Sequence, residues 1–190
     1  MLEKGEMDEF MVESEYAKLV FNTSKRERFN LGGCADIYPY VPCLVKKVTK
    51  LEFDLKLEYE AMVSLWQKGF RAMQKPLAIS KDKNSILMQE IQDGVPLKEL
   101  MQLYEQGEIS EDCAEQIIDI LKQVLSEFWN TEAVHGDLHA NNLLIGKNTK
   151  GAWKVWVIDF GATCFGRDNK MDQEKLKIPI NHYGLSHLYF

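Results

Sequence analysis

The chain has 190 residues and a net charge of −6, from 23 basic and 29 acidic side chains. At 45% apolar and 27% charged it has an ordinary globular composition, which excludes disordered, collagen-like and disulfide-scaffold classes. The length leaves room for one domain or two small lobes. An acidic chain lacks the bulk field that holds nucleic acid phosphates, and no apolar run approaches the ~18–20 residues of a membrane span. No nucleic acid or membrane partner is therefore expected. The first residues have neither the basic nor the apolar region of a signal peptide. Cys34, Cys43, Cys113 and Cys164 include no C-x-x-C pair and read as reduced, mostly packed thiols of a reducing compartment.

Residues 1–18 read as an acidic, partly helical lead-in; in its first fifteen residues Glu3, Glu6, Asp8, Glu9, Glu13 and Glu15 face one lysine. Residues 19–50 are rich in β-formers and break at Gly32-Gly33. Asp36–Tyr38 and Cys43–Val45 read as strands of a hairpin joined near Pro39 and Pro42. Over residues 51–68, Leu55, Tyr59, Met62, Leu65 and Trp66 fall on one helical stripe, with Gly69 as a C-cap. Leu77–Ser80 and Ile86–Ile91 read as strands around a turn at 81–84. Gly94 ends the second, and a short helix is expected over 97–106. Ser110 is a good N-cap, with Glu111 and Asp112 in the first turn. Ile117, Ile118, Leu121, Val124, Leu125, Phe128 and Trp129 then mark the clearest helix in the chain. Residues 135–142 read as a loop, 143–145 as a strand, 146–151 as a turn and 155–158 as a strand. This order of segregated strands and helices predicts an α+β fold rather than a doubly wound sheet.

The strongest local signal is His135-Gly136-Asp137-Leu138-His139-Ala140-Asn141-Asn142, followed by Val157-Ile158-Asp159-Phe160-Gly161. Alone, a D-x-x-x-x-N spacing is common and a D-F-G is only a turn after a strand. Together and in this order they resemble the catalytic loop and D-F-G segment of the protein-kinase-like superfamily. The resemblance implies ATP and magnesium as cofactors and a minimal bilobal kinase-like fold. An antiparallel sheet and one helix would make the N-lobe over about 19–91, a hinge would lie at about 90–94, and a truncated, mostly helical C-lobe would fill 95–190. Phosphoryl transfer needs charge placement more than covalent help. Asp137 is assigned as the carboxylate that orients the acceptor hydroxyl and takes its proton. Asp159 and Asn142 are the hard oxygen ligands expected to hold magnesium.

The upstream half supplies the remaining parts by the same resemblance. Gly32-Gly33-Cys34-Ala35 resembles a degenerate glycine-rich phosphate loop, although a Gly-Gly hairpin would look the same. Cys43-Leu44-Val45-Lys46 resembles the V-A-I-K strand. Period-two alternation would put Leu44 under the adenine and Lys46 at the phosphates, with Lys47 as the register-shifted alternative. Glu58 shares a helix face with Leu55, Met62 and Leu65, so it points at the core and needs a cation; Glu60 is on the solvated side. Lys46–Glu58 is the favoured pair. Gln89 would be the gatekeeper, with the Glu90 carbonyl and the Gln92 amide on the adenine edge.

The family's H-R-D is His135-Gly136-Asp137 here, so no arginine awaits an activation-loop phosphate, and a constitutive enzyme is expected. His139 stands two after the catalytic Asp, where the family has lysine, and would either touch the γ-phosphate or only pack. This H-G-D-L-H spelling also resembles aminoglycoside phosphotransferases, which makes a small-molecule phosphotransferase the alternative. Only 29 residues follow Gly161. Without the helices that usually enclose a small acceptor, an open face suits a protein substrate. Size and H-G-D spelling resemble the HopBF family of minimal type III effector kinases. That likeness implies a bacterial virulence effector, secreted into the host cytoplasm, that phosphorylates Ser/Thr of a host protein, with the eukaryotic ninety-kilodalton heat-shock chaperone as the candidate; a monomer is expected. The apolar and aromatic end at Leu185, Ser186, Leu188, Tyr189 and Phe190 is expected to dock on the C-terminal lobe, with a partner-binding strip as the alternative. A third reading is a non-catalytic binding module with a kinase fold, against which the complete catalytic set argues, and a fourth takes His135, Asp137 and His139 as the metal ligands of a hydrolase.

Overall fold

The computed structural model of the chain describes residues 10–12, 30–31, 35–41, 43–50, 54–148, 150–166 and 168–182. The acidic lead-in apart from 10–12, the expected phosphate-loop residues Gly32, Gly33 and Cys34, and the apolar end at 185–190 lie outside them. The chain divides into two compact units, one of residues 1–66 and 74–91, the other of 67–73 and 92–190.

The first unit is a six-stranded sheet in the order β1-β5-β6-β4-β3-β2. Its strands are β1 (Phe10–Val12), β2 (Asn30–Leu31), β3 (Ala35–Val41), β4 (Leu44–Thr49), β5 (Pro76–Ser80) and β6 (Ser85–Gln89), all pairing antiparallel. Phe10–Val12, within the lead-in expected to be partly helical, pairs with β5 as a strand. The β3–β4 hairpin forms where β-formers alternate. Pro39 sits inside β3, at the edge of the ladder's register shift, rather than in the turn. Helix α1 (Lys56–Gln67) follows the predicted stripe: Leu55, Tyr59, Met62 and Leu65 are buried, while Leu57 faces solvent. Asp54 Oδ1 accepts from the Lys56 N–H at 2.6 Å, capping the helix start. Leu55 and Tyr59 form one cluster with Ile79 and Ile86, so this helix covers the face of the sheet on which Ile86 lies.

The second unit holds β7 (Val95–Pro96), α2 (Leu97–Glu105), α3 (Glu111–Trp129), β8 (Ala133–Val134), a 3-10 turn (Ala140–Asn142), β9 (Leu143–Lys147), β10 (Trp153–Val157), β11 (Cys164–Phe165) and α4 (Lys170–His182). Strands β10, β9 and β7 form one small sheet, and β11 pairs with β8. The predicted cap of α3 is present: Ser110 Oγ accepts from the Cys113 N–H. Ile117, Ile118, Leu121, Leu125 and Phe128 bury the α3 stripe almost completely. At its end, Phe128 packs its ring against Phe70, Phe160 and His135, with centroids 5.4–6.3 Å away. Helix α4 falls in the tail, where no helix is predicted from the sequence. Cys113 and Cys164 are half-buried free thiols, and Cys43 is exposed rather than packed. No described helix is long and apolar enough to cross a membrane.

Candidate active site

In the first unit the site is organised by strand register. Lys47 Nζ donates to both carboxylate oxygens of Glu58, at 2.7 and 2.8 Å, and both residues are buried. The pair is therefore Lys47–Glu58, which corrects the favoured Lys46–Glu58. The reason is face alternation. Lys47 stands opposite Ile86, the residue that α1 covers, whereas Lys46 stands opposite Leu87 on the other face. The same one-residue shift carries the rest of the strand. Val45, not Leu44, shares a face with Lys47. Opposite Val45 lies Met88, buried, and the expected gatekeeper Gln89 is exposed on the other face. The Glu90 N–H donates to the Cys43 carbonyl at 2.8 Å, and Gln92 is exposed. Ala35 begins β3. Glu60, on the solvated face, pairs with Lys56.

In the second unit the catalytic-loop sequence is held from three sides. Asn142 ties the loop to the strand before Asp159. Its N–H donates to the His139 carbonyl, its carbonyl accepts from the Ile158 N–H at 3.0 Å, and its Nδ2 donates to the Asp137 carbonyl at 2.8 Å. With Nδ2 engaged on a carbonyl, Oδ1 is the acceptor oxygen that the amide still carries. His135 is fully buried and uses both ring nitrogens: Nδ1 accepts from the Asp137 N–H at 3.3 Å and Nε2 donates to the Ile158 carbonyl at 2.9 Å. Burial holds its pKa below the usual imidazole value, outweighing the Ile158 bond and the nearby Asp172, Asp159 and Asp137 charges. A neutral ring engaged at both nitrogens is a structural post rather than a metal ligand. Among the described residues, no group of three His, Cys, Asp or Glu side chains, the expected trio His135, Asp137 and His139 included, is placed to hold a metal.

The third support comes from α4. Asp172, fully buried, receives the His135 N–H on Oδ2 at 2.7 Å and the Gly136 N–H on Oδ1 at 3.0 Å. Lys175, one turn later, donates to the Gly136 carbonyl at 2.8 Å and lies 3.4 Å from Asp137 Oδ1. Neither residue was a candidate by sequence. Gly136 explains the missing arginine: its φ is +78°, and a Cβ there would collide with the Ala162 carbonyl oxygen. Asp137 itself stays 55% exposed, with His139 Nε2 3.6 Å from its Oδ2. His139 Nδ1 accepts from the Asn141 N–H, so the neutral ring carries its proton on Nε2. Asp159 is exposed and adopts φ +64°, a left-handed conformation that side chains other than glycine rarely take and that concentrates at functional sites. Phe160 beside it is buried against Phe128 and His135.

The family model of the ABC1 atypical kinase-like domain matches residues 10–177. The chain belongs to that family. No curated protein matches this ABC1-family chain. Among solved structures, WaaP in complex with acyl carrier protein superposes with a TM-score of 0.64 at 14% identity, covering 90% of this chain and 80% of that one. At that identity the likeness bears on fold alone. The expected α+β kinase-like fold is thus the observed one, and the superfamily resemblance holds at the level of an ABC1-type kinase-like domain.

Proposed function

We propose that this ABC1-family chain is an ATP- and magnesium-dependent phosphotransferase. The observation that carries the reading is the loop that leaves Asp137 exposed while fixing its backbone through Asn142, His135 and Asp172. Asn142 Oδ1 and the Asp159 carboxylate are hard oxygen donors of the kind magnesium prefers, and they are the residues that would hold it. When bound, the metal supplies neutralising charge at the phosphates. Lys47, oriented by Glu58, is the ammonium that the first unit offers to nucleotide phosphates. Asp137 accepts the proton of the acceptor hydroxyl as its oxygen bonds to the γ-phosphorus. The bond from that phosphorus to the β–γ bridging oxygen breaks, and its electron pair leaves with ADP. Val45 and Met88 form the apolar wall for adenine, and Gln89 carbonyl and Ile91 amide take the backbone roles one residue before the expected pair.

The acceptor in this proposal is a Ser or Thr hydroxyl of a protein. The exposure of Asp137 supports it, because a small acceptor needs enclosure. The H-G-D spelling supports the narrower version, in which the chain acts as a secreted bacterial effector on a host chaperone in the host cytoplasm. The test is one incubation with labelled magnesium-ATP in parallel arms: eukaryotic lysate, purified ninety-kilodalton chaperone, aminoglycosides and sugars. Label in a protein band is the expected result. Label only in a small molecule would move the function to the alternative class, and label in no arm would refute phosphotransfer to these acceptors.

A further inference from the structure

Helix α4 reaches the candidate catalytic loop with two side chains one turn apart, and they do different work. Asp172 is buried and takes two backbone N–H groups, which is an anchoring role. Lys175 is 39% exposed, and its ammonium is fixed on the Gly136 carbonyl at 2.8 Å, only 3.4 Å from Asp137 Oδ1. Because a backbone carbonyl sets the ammonium's position, it does not depend on where Asp137 points. It can therefore select one rotamer of Asp137. The other oxygen, Oδ2, faces the Nε2–H of His139 at 3.6 Å, too long for a hydrogen bond, and so keeps its lone pairs for an incoming proton. Asp137 must otherwise hold its own orientation in water, since its side chain is 55% exposed.

We propose that Lys175 is a positioning residue for phosphoryl transfer: its ammonium pins Asp137 Oδ1, so that Oδ2 meets the acceptor hydroxyl. The inference rests on the phosphotransferase reading. It assigns part of the active loop's geometry to the tail helix, a segment outside both motifs that identify the loop. A positioning role separates turnover from binding. Lys175 touches no group assigned to nucleotide, so its loss should lower kcat and leave ATP affinity alone.

The experiment measures phosphate release from magnesium-ATP, with water as acceptor, together with nucleotide Kd by calorimetry and the thermal unfolding midpoint. The proteins are the wild type, Lys175→Met, Lys175→Arg and a control, Lys170→Met, at an exposed position on the same helix. Lys175→Met should lose roughly 10- to 100-fold in kcat, the order a small misplacement at a reacting centre produces, with Kd unchanged within about twofold. Lys175→Arg should recover most of that loss, and Lys170→Met should match wild type. Should Lys175→Met fail to fold, Lys175→Gln takes its place with the same expectation. Wild-type kcat in Lys175→Met overturns the proposal, and so does an arginine variant as slow as the methionine one. Wild type that neither binds nor turns over magnesium-ATP overturns the phosphotransferase reading itself, which separates the two failures.

Discussion

The register of β4 can be tested by removing each of its two lysines in turn. Lys47 and Glu58 are joined by two short bonds and are buried together, with 11% and 5% side-chain exposure. Lys47→Met leaves a carboxylate in the core beneath α1 with its bidentate partner gone. Breaking such a pair costs about 3–5 kcal/mol, because the remaining charge keeps its desolvation penalty. For a chain of this length each kcal/mol shifts Tm by about 2–4 °C, so the loss should be roughly 6–20 °C. Lys46 lies on the other face and is partly exposed, and Lys46→Met should cost under about 1 kcal/mol. Replacing both partners, Lys47→Met with Glu58→Leu, should recover most of the stability, since a buried ion pair exchanged for apolar groups is often near neutral. Urea unfolding followed by far-UV circular dichroism reads all three variants. Equal losses in Lys46→Met and Lys47→Met, or no gain in the double variant, would refute the assigned register.

Three further outcomes follow from the second unit. Gly136→Ala should destabilise by about 1–2 kcal/mol for its left-handed φ alone, and by more because the added carbon meets the Ala162 carbonyl; a urea titration measures it. Asp172→Ala should leave two N–H groups of the loop without their acceptor, at about 1–3 kcal/mol each, and Asp172→Asn should cost less; thermal unfolding checks the order. His135 has a folded pKa below its unfolded value, so the unfolded chain binds more protons and protonation favours unfolding. Its contribution is whole above about pH 6.5 and is lost as pH falls below that, at up to about 1.4 kcal/mol per unit. Stability measured from pH 7.5 to pH 5 should drop more steeply for wild type than for His135→Asn.

Much of the fold was readable because local signals agreed with tertiary packing. Ser110 and the apolar stripe from Ile117 to Phe128 predicted α3, and the helix found there is capped and buried as that pattern requires. The turn at 81–84 was legible from its polar run, where Asp82 takes the Ser80 hydroxyl and the Asn84 N–H. The lysine pair was misread because Lys46 and Lys47 are adjacent. A one-residue slip exchanges the faces of a strand, and only the helix packed against it decides which face counts. That slip also displaced Leu44 and Gln89. Helix α4 was missed because it is polar and short of apolar periodicity: Leu176 is its fully buried apolar side chain among the described residues, and Asp172 is buried as an acid. The signal that could have found its start is Asp168, whose carboxylate accepts from the Lys170 N–H. At Gly136 the sequence shows only a lost arginine; the cause, close approach of the Ala162 carbonyl, lies in a segment 26 residues away in sequence.

The central claim is that Asp137 takes the acceptor's proton in a phosphotransferase. Its most direct test is turnover of magnesium-ATP by wild type and Asp137→Asn, with nucleotide Kd measured on the same samples. General-base removal predicts a loss of about 10²–10⁴ in kcat with Kd held within about twofold. Equal turnover by the two proteins would contradict the account, whatever the acceptor proves to be.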